Sequence, residues 1–140
     1  MATRINGYLS FNGNCEEAMN FYKDCLGGEL ILNRFEGSPV EDECSPDMKS
    51  KIMHSSLTKG DLVLMGSDAF FAGEIKHGSS VSLALMCSSD AEITEFFDKL
   101  SSGGQVTAPL KEQFWGATFG MLIDKFGFTW LLNYEKNPQA

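Results

Sequence analysis

One hundred and forty residues, 43% hydrophobic and 21% charged, suit a soluble chain large enough for one hydrophobic core. Nineteen acids against eleven bases leave a net charge of −8, which argues against nucleic acid and anionic membrane surfaces as partners, because both require a positive face. No secretory h-region or bilayer-spanning run is visible, and Cys15, Cys25, Cys44 and Cys87 form no C-x-x-C pair, so the expectation is a cytoplasmic protein with reduced thiols and no cofactor.

Ile5 to Phe11 is short, apolar and aromatic, as a strand should be. Leu9 and Phe11 share one face and Tyr8 and Ser10 the other. Asn14, with Glu17 three residues on, predicts a helix N-cap. Ala18, Phe21, Tyr22, Cys25 and Leu26 recur at helical spacing, and Gly27-Gly28 ends the helix. Glu29 to Phe35 reads as a strand, and the acid-rich, proline-containing stretch 36–50 as a long loop. Ile52 to Leu57 and Asp61 to Met65 predict a hairpin, followed by a connector over Ser67 to Ser79.

The order then repeats. Val81 to Cys87 reads as a strand. Ser88 or Ser89 caps a helix carrying Ile93, Phe96, Phe97 and Leu100, which stops at Gly103-Gly104. Gln105 to Leu110 is a strand, and Ala117 to Ile123 and Phe128 to Asn133 form a second hairpin. The duplication is visible in sequence, since Glu17-Ala-Met-Asn-Phe-Tyr running to Leu26-Gly-Gly is echoed by Glu92-Ile-Thr-Glu-Phe-Phe running to Leu100-Ser-Ser-Gly-Gly. Two modules, about 4–68 and 79–134, are therefore expected within one domain. The helices should cover the Leu9, Phe11, Leu83, Leu85 face. That leaves Tyr8, Ser10, Ser82 and Ala84 on a more polar face.

At this point the chain resembles a known group. The repeated βαβββ order, the block Asn12-Gly-Asn-Cys-Glu-Glu-Ala-Met-Asn-Phe-Tyr22, Phe114-Trp115-Gly116, Phe119-Gly120 and Asp124-Lys-Phe-Gly-Phe-Thr-Trp130 are similar to the vicinal oxygen chelate superfamily. That superfamily includes glyoxalase I, bleomycin-resistance proteins and extradiol dioxygenases. Lys51-Ile-Met-His54 and Met65-Gly-Ser-Asp68 fit its PhnB-like branch. The resemblance implies an α+β fold in which two βαβββ modules form a U-shaped mixed sheet around a cleft, helices outermost. It also implies a homodimer. Branch members often carry a demethylubiquinone methyltransferase label, but the glycine-rich cofactor loop of a usual methyltransferase is not in this sequence.

Metal-dependent members hold a divalent ion from four strand positions. Carried across, these fall on Asn6, Leu64, Ser82 and Leu131, with Asn133 and Glu135 nearby. Leucine ligates nothing and serine is a poor ligand for zinc, nickel or iron, so no metal is expected. Candidate ligand-binding residues are Tyr8, Ser10, His54, Ser82, Phe114 and Trp115. Tyr8 and the serines would orient a ligand by hydrogen bonds, or Tyr8 ends at a backbone carbonyl; Phe114 and Trp115 either stack on it or are core or dimer-contact aromatics; and His54 is either a general base or a structural histidine. A thiolate at Cys15 would be favoured by the helix N-terminus, although an inert half-buried thiol is the blander reading. The expected function is binding of a small organic ligand of unstated identity. The alternative is a metal-dependent glyoxalase-like lyase or isomerase, or a dioxygenase.

Overall fold

Two strand–helix–three-strand modules follow one another along the chain. The computed structural model describes residues 3–43, 45–68 and 75–136. In the first, β1 (Gly7–Phe11), α1 (Cys15–Leu26), β2 (Glu29–Arg34), β3 (Ile52–Lys59) and β4 (Leu62–Asp68) give a sheet of order β1-β4-β3-β2. In the second, β5 (Leu83–Met86), α2 (Asp90–Ser101), β6 (Gln105–Glu112), β7 (Ala117–Ile123) and β8 (Thr129–Glu135) give β5-β8-β7-β6. β1 runs parallel to β4, and β5 to β8; every other pairing is antiparallel. The fold is thus α+β, built of two βαβββ modules with one helix against each mixed sheet. The chain divides into compact units Met1–Lys76 and His77–Ala140.

Strand alternation explains the burial. Leu9 and Phe11 are buried while Tyr8 and Ser10 are exposed, because successive side chains point to opposite faces. Cys15, Ala18, Met19, Tyr22, Cys25 and Leu26 form the buried stripe of α1. Met19 therefore belongs to the core, whereas Phe21 is only half-buried. The predicted stripe of α2, Ile93, Phe96, Phe97 and Leu100, is fully realised. Each helix lies close to its sheet over a glycine. A side chain on Gly66 would press on Leu9 O, the Phe11 ring and Met19 Sδ; one on Gly120 would meet the Phe97 ring at 2.7 Å and Leu110 at 2.8 Å.

The helix starts differ from each other. Ser89 Oγ accepts from Glu92 N, and the Glu92 carboxylate accepts from the N–H of Ser88, the residue before the cap, a variant of the capping box. Asn14, by contrast, makes no side-chain cap bond. Its expected role falls to Asp68, at the far end of β4. Asp68 Oδ1 accepts from Gly13 N (2.9 Å) and Cys15 N (3.0 Å), and Oδ2 from Ile52 N (2.8 Å). One buried carboxylate therefore joins the start of α1, the start of β3 and the end of β4.

The hairpin of the second unit has a matching device. Asp124 is buried, and its carboxylate accepts from Phe126 N (2.8 Å), Phe128 N (3.1 Å) and the Trp130 indole N–H (2.8 Å). The Asp124-to-Trp130 block is thus a turn-building unit. Stretch 36–50 contains short 3-10 turns at Glu41–Glu43 and Pro46–Met48. Its base is held by Arg34, which donates to both Glu16 carboxylate oxygens and to Ser50 O. The predicted 67–79 connector falls in part outside the described residues, as does Cys44.

Hydrogen bonds to a charged acceptor contribute about 1.5–3 kcal/mol each. Asp68→Ala, which strands three donors, should lower unfolding stability by about 3–5 kcal/mol, read as a fall in the urea midpoint. Gly120→Ala should cost about 1–3 kcal/mol through overpacking against Phe97, measured the same way.

Candidate functional site

Within the first unit, the sheet face turned away from α1 carries the candidate residues. Register places Tyr8 beside Met65, Met65 beside Ser56, and Ser56 beside Ile31; Ser10 lies beside Ser67, and His54 beside Asn33. A β-bulge sets this arrangement. Asn33 pairs with His54 but Arg34 pairs with Ile52, so Met53 is the extra residue. The bulge lets Ile52 enter the core while His54, two residues on, occupies the open face. Sequence alternation alone would put both on one face.

Tyr8 and His54 are brought together. The hydroxyl lies 3.1 Å from His54 Nδ1, and the rings stack with centroids 5.7 Å apart at 29°. The two residues sit on β1 and β3 with β4 between them, so Tyr8 reaches diagonally over β4. Tyr8 is 48% exposed and His54 half-buried. Ser10, on the same face, is exposed and makes no contact comparable to theirs. No signal in the sequence pairs residues 46 apart; the contact follows only once register and bulge are known.

In the second unit, Ser82 is exposed and lies just before β5. Phe114 and Trp115 occupy the tight β6–β7 turn, closed by Gln113 N to Ala117 O (2.7 Å) and Gly116 N to Gln113 O (3.0 Å). Gly116 takes φ +90 there, a conformation that favours glycine. The two rings meet edge to face at 4.9 Å, with Phe114 97% and Trp115 55% exposed. His77, the second histidine, is exposed and packs edge-on against Phe128.

The positions expected to hold a metal in other members do not fit one. Asn6 is exposed ahead of β1, and Leu64 is buried in the core. Leu131 is half-buried, with Asn133 and Glu135 further along β8, which Glu135 ends. Two leucines, a serine and an asparagine are a poor donor set for a divalent ion. Among the described residues no group of three or more His, Cys, Asp or Glu side chains is placed to hold a metal, and no helix is long and apolar enough to cross a membrane.

The thiols differ from the sharper expectation. Cys15 Sγ is fully buried, 3.6 Å from Ser55 Oγ, and burial pushes its pKa up to about 12. Desolvation outweighs the helix N-terminus, so a thiolate is disfavoured there. Burial raises Cys87 to about 12 as well. The folded state therefore keeps both protons beyond the ordinary thiol value of 9.0. Their contribution to stability is intact below about pH 9 and is lost between about 9 and about 12. Alkylation mapped by mass spectrometry at pH 8 should leave Cys15 unmodified in native protein and modify it in urea.

A family profile described as 3-demethylubiquinone-9 3-methyltransferase matches residues 3–133. Protein YjdN of Escherichia coli (strain K12) is 30% identical over 94% of this chain and 95% of its own length. The crystal structure of protein PA1353 from Pseudomonas aeruginosa is similar with TM-score 0.85 and 40% identity, covering 97% of this chain and 100% of that one. The putative 3-demethylubiquinone-9 3-methyltransferase, PhnB protein, from Bacillus cereus gives TM-score 0.75 and 29% identity over 94% and 99%. Glyoxalase-related proteins at 13% and 15% identity share the fold, with TM-scores of 0.63 and 0.65. The chain therefore belongs to the family described as 3-demethylubiquinone-9 3-methyltransferase, with the PhnB protein of Bacillus cereus among its relatives, and shares its fold with glyoxalase-related proteins.

Proposed function

We propose that this protein binds a compact, planar organic ligand without a catalytic metal, through the open sheet face around Tyr8 and His54. The observation that carries this reading is the Tyr8–His54 contact itself. A side-chain hydrogen bond on an exposed face adds little to folding, but it fixes two ring orientations for a third group to meet. Ser10, Ser56, Ser67 and Asn33 supply hydroxyls and an amide on the same face. Ser82 offers a hydroxyl in the second unit in this proposal, and Phe114 and Trp115 present exposed rings there. A cytoplasmic homodimer belongs to it too, with Phe114 and Trp115 offering apolar surface to a second copy.

Methyl transfer, which the family description names, has little support in this chain. The β1–α1 link is Asn12-Gly13-Asn14, and the N–H groups of Gly13 and Cys15 that flank it already donate to Asp68. They are not available to a cofactor phosphate or carboxylate. A lyase, isomerase or dioxygenase reading requires a divalent ion that the donor set does not suit.

A panel of small aromatic ligands titrated by amide NMR tests the reading. Shifts should cluster at Tyr8, His54, Ser56 and Ser67, and His54→Gln should weaken binding about tenfold, equivalent to about 1.4 kcal/mol. Shifts confined to other strands, or a stoichiometric divalent ion on elemental analysis whose removal abolishes binding, would refute it. For the second copy, light scattering should give a dimer mass that Phe114→Ser shifts toward monomer. That exposed substitution should change intrinsic stability by no more than about 0.5 kcal/mol.

A further inference from the structure

We infer that Tyr8 and His54 form a proton-exchanging pair that takes up a ring-bearing weak acid, a phenol or an enol, and holds it as the conjugate base. This rests on the ligand-binding reading above and adds the chemical class.

The first argument is the partner that His54 has. A carboxylate at Nδ1 would hold a proton there permanently and favour the imidazolium. Tyr8 offers a hydroxyl, which both donates and accepts. The Nδ1 contact can therefore form in either tautomer of the ring. When Nδ1–H donates to the Tyr8 oxygen, Nε2 carries a lone pair, and among the described residues Nε2 has no hydrogen-bond partner.

The second argument is charge. The residues around His54 on this face are Tyr8 from β1, Met65 and Ser67 from β4, Ser56 from β3 itself and Asn33 from β2. Glu29, opposite Thr58, is the carboxylate on the same face and lies at the far end of β2. Arg34 is committed to Glu16 and Ser50, Lys51 donates to Gly13 O and Lys59 to Leu26 O. A ligand that arrives as a permanent anion finds no uncommitted cation on this face among the described residues. One that arrives neutral and surrenders its proton makes its own counter-charge in place. The ligand O–H bond breaks, the N–H bond at Nε2 forms, and the electron pair stays on the ligand oxygen. The imidazolium then donates from Nε2 to that oxygen and from Nδ1 to Tyr8. In a chain of net charge −8, such an anion is tolerated beside the uncharged side chains that neighbour His54 among the described residues.

p-Nitrophenol is the probe, because its ionised form has a separate visible absorption band. In buffer below its own titration midpoint, wild-type protein should raise that band saturably, the bound probe being ionised about tenfold more than the free probe. His54→Gln should abolish the rise, and Tyr8→Phe should reduce it while leaving the fold, checked by circular dichroism, unchanged. Binding of the neutral phenol without a rise, an equal rise with His54→Gln, or no binding of p-nitrophenol would each overturn the inference. If acetophenone binds at Tyr8 and His54 where p-nitrophenol does not, ligand binding stands and the weak-acid class falls. If neither binds, both readings fall.

Discussion

The buried carboxylate of Asp68 is the constraint on which the first unit depends. Taking three backbone N–H groups, two at the entry to α1 and one at the start of β3, it satisfies donors that α1 and β3 would otherwise leave without partners in the core. Its grip on Ile52 N also fixes where β3 begins. That start, followed by the bulge at Met53, turns His54 to the open face and keeps Ile52 and Ser55 in the core. Tyr8 reaches His54 only because β1 is locked to β4 in the register that ends at Phe11 and Asp68. The candidate site is thus downstream of one aspartate whose hydrogen bonds go to Gly13, Cys15 and Ile52 and to none of the site's residues.

The second unit reaches a similar end by a different route. Asp124 builds the β7–β8 turn and holds the Trp130 indole, while Ser89 and Glu92 cap α2. The conspicuous Asp-x-Phe-Gly block is therefore accounted for by hydrogen bonding within the fold. The motif residues and the candidate chemistry are separable: Asp68, Gly66 and Asp124 build the scaffold, while the site is carried by residues whose types are common anywhere. A shared fold accordingly assigns neither methyl transfer nor metal chemistry to this chain.

Much of the architecture was legible in the sequence because its signals are local. The α2 stripe, the glycines after each helix and the alternation through Leu9 and Phe11 are all read within a few residues. The Asn14 cap failed because its competitor, Asp68, lies 53 residues from Cys15 and acts only once β4 is in place. The thiolate expected at Cys15 failed because local helix polarity was weighed without burial. For the site, Tyr8 and His54 were recognisable as residue types that bind ligands. Their contact was not, since a one-residue bulge changes strand parity and leaves no mark in the alternation pattern around Met53.

Long-range proton–nitrogen NMR of the His54 ring in the ligand-free protein tests this account most directly. The account predicts an Nδ1 resonance carrying the signature of a hydrogen bond, lost in Tyr8→Phe and unchanged by substitution of Ser10. An Nδ1 resonance without that signature, or one that is the same in Tyr8→Phe, would contradict it.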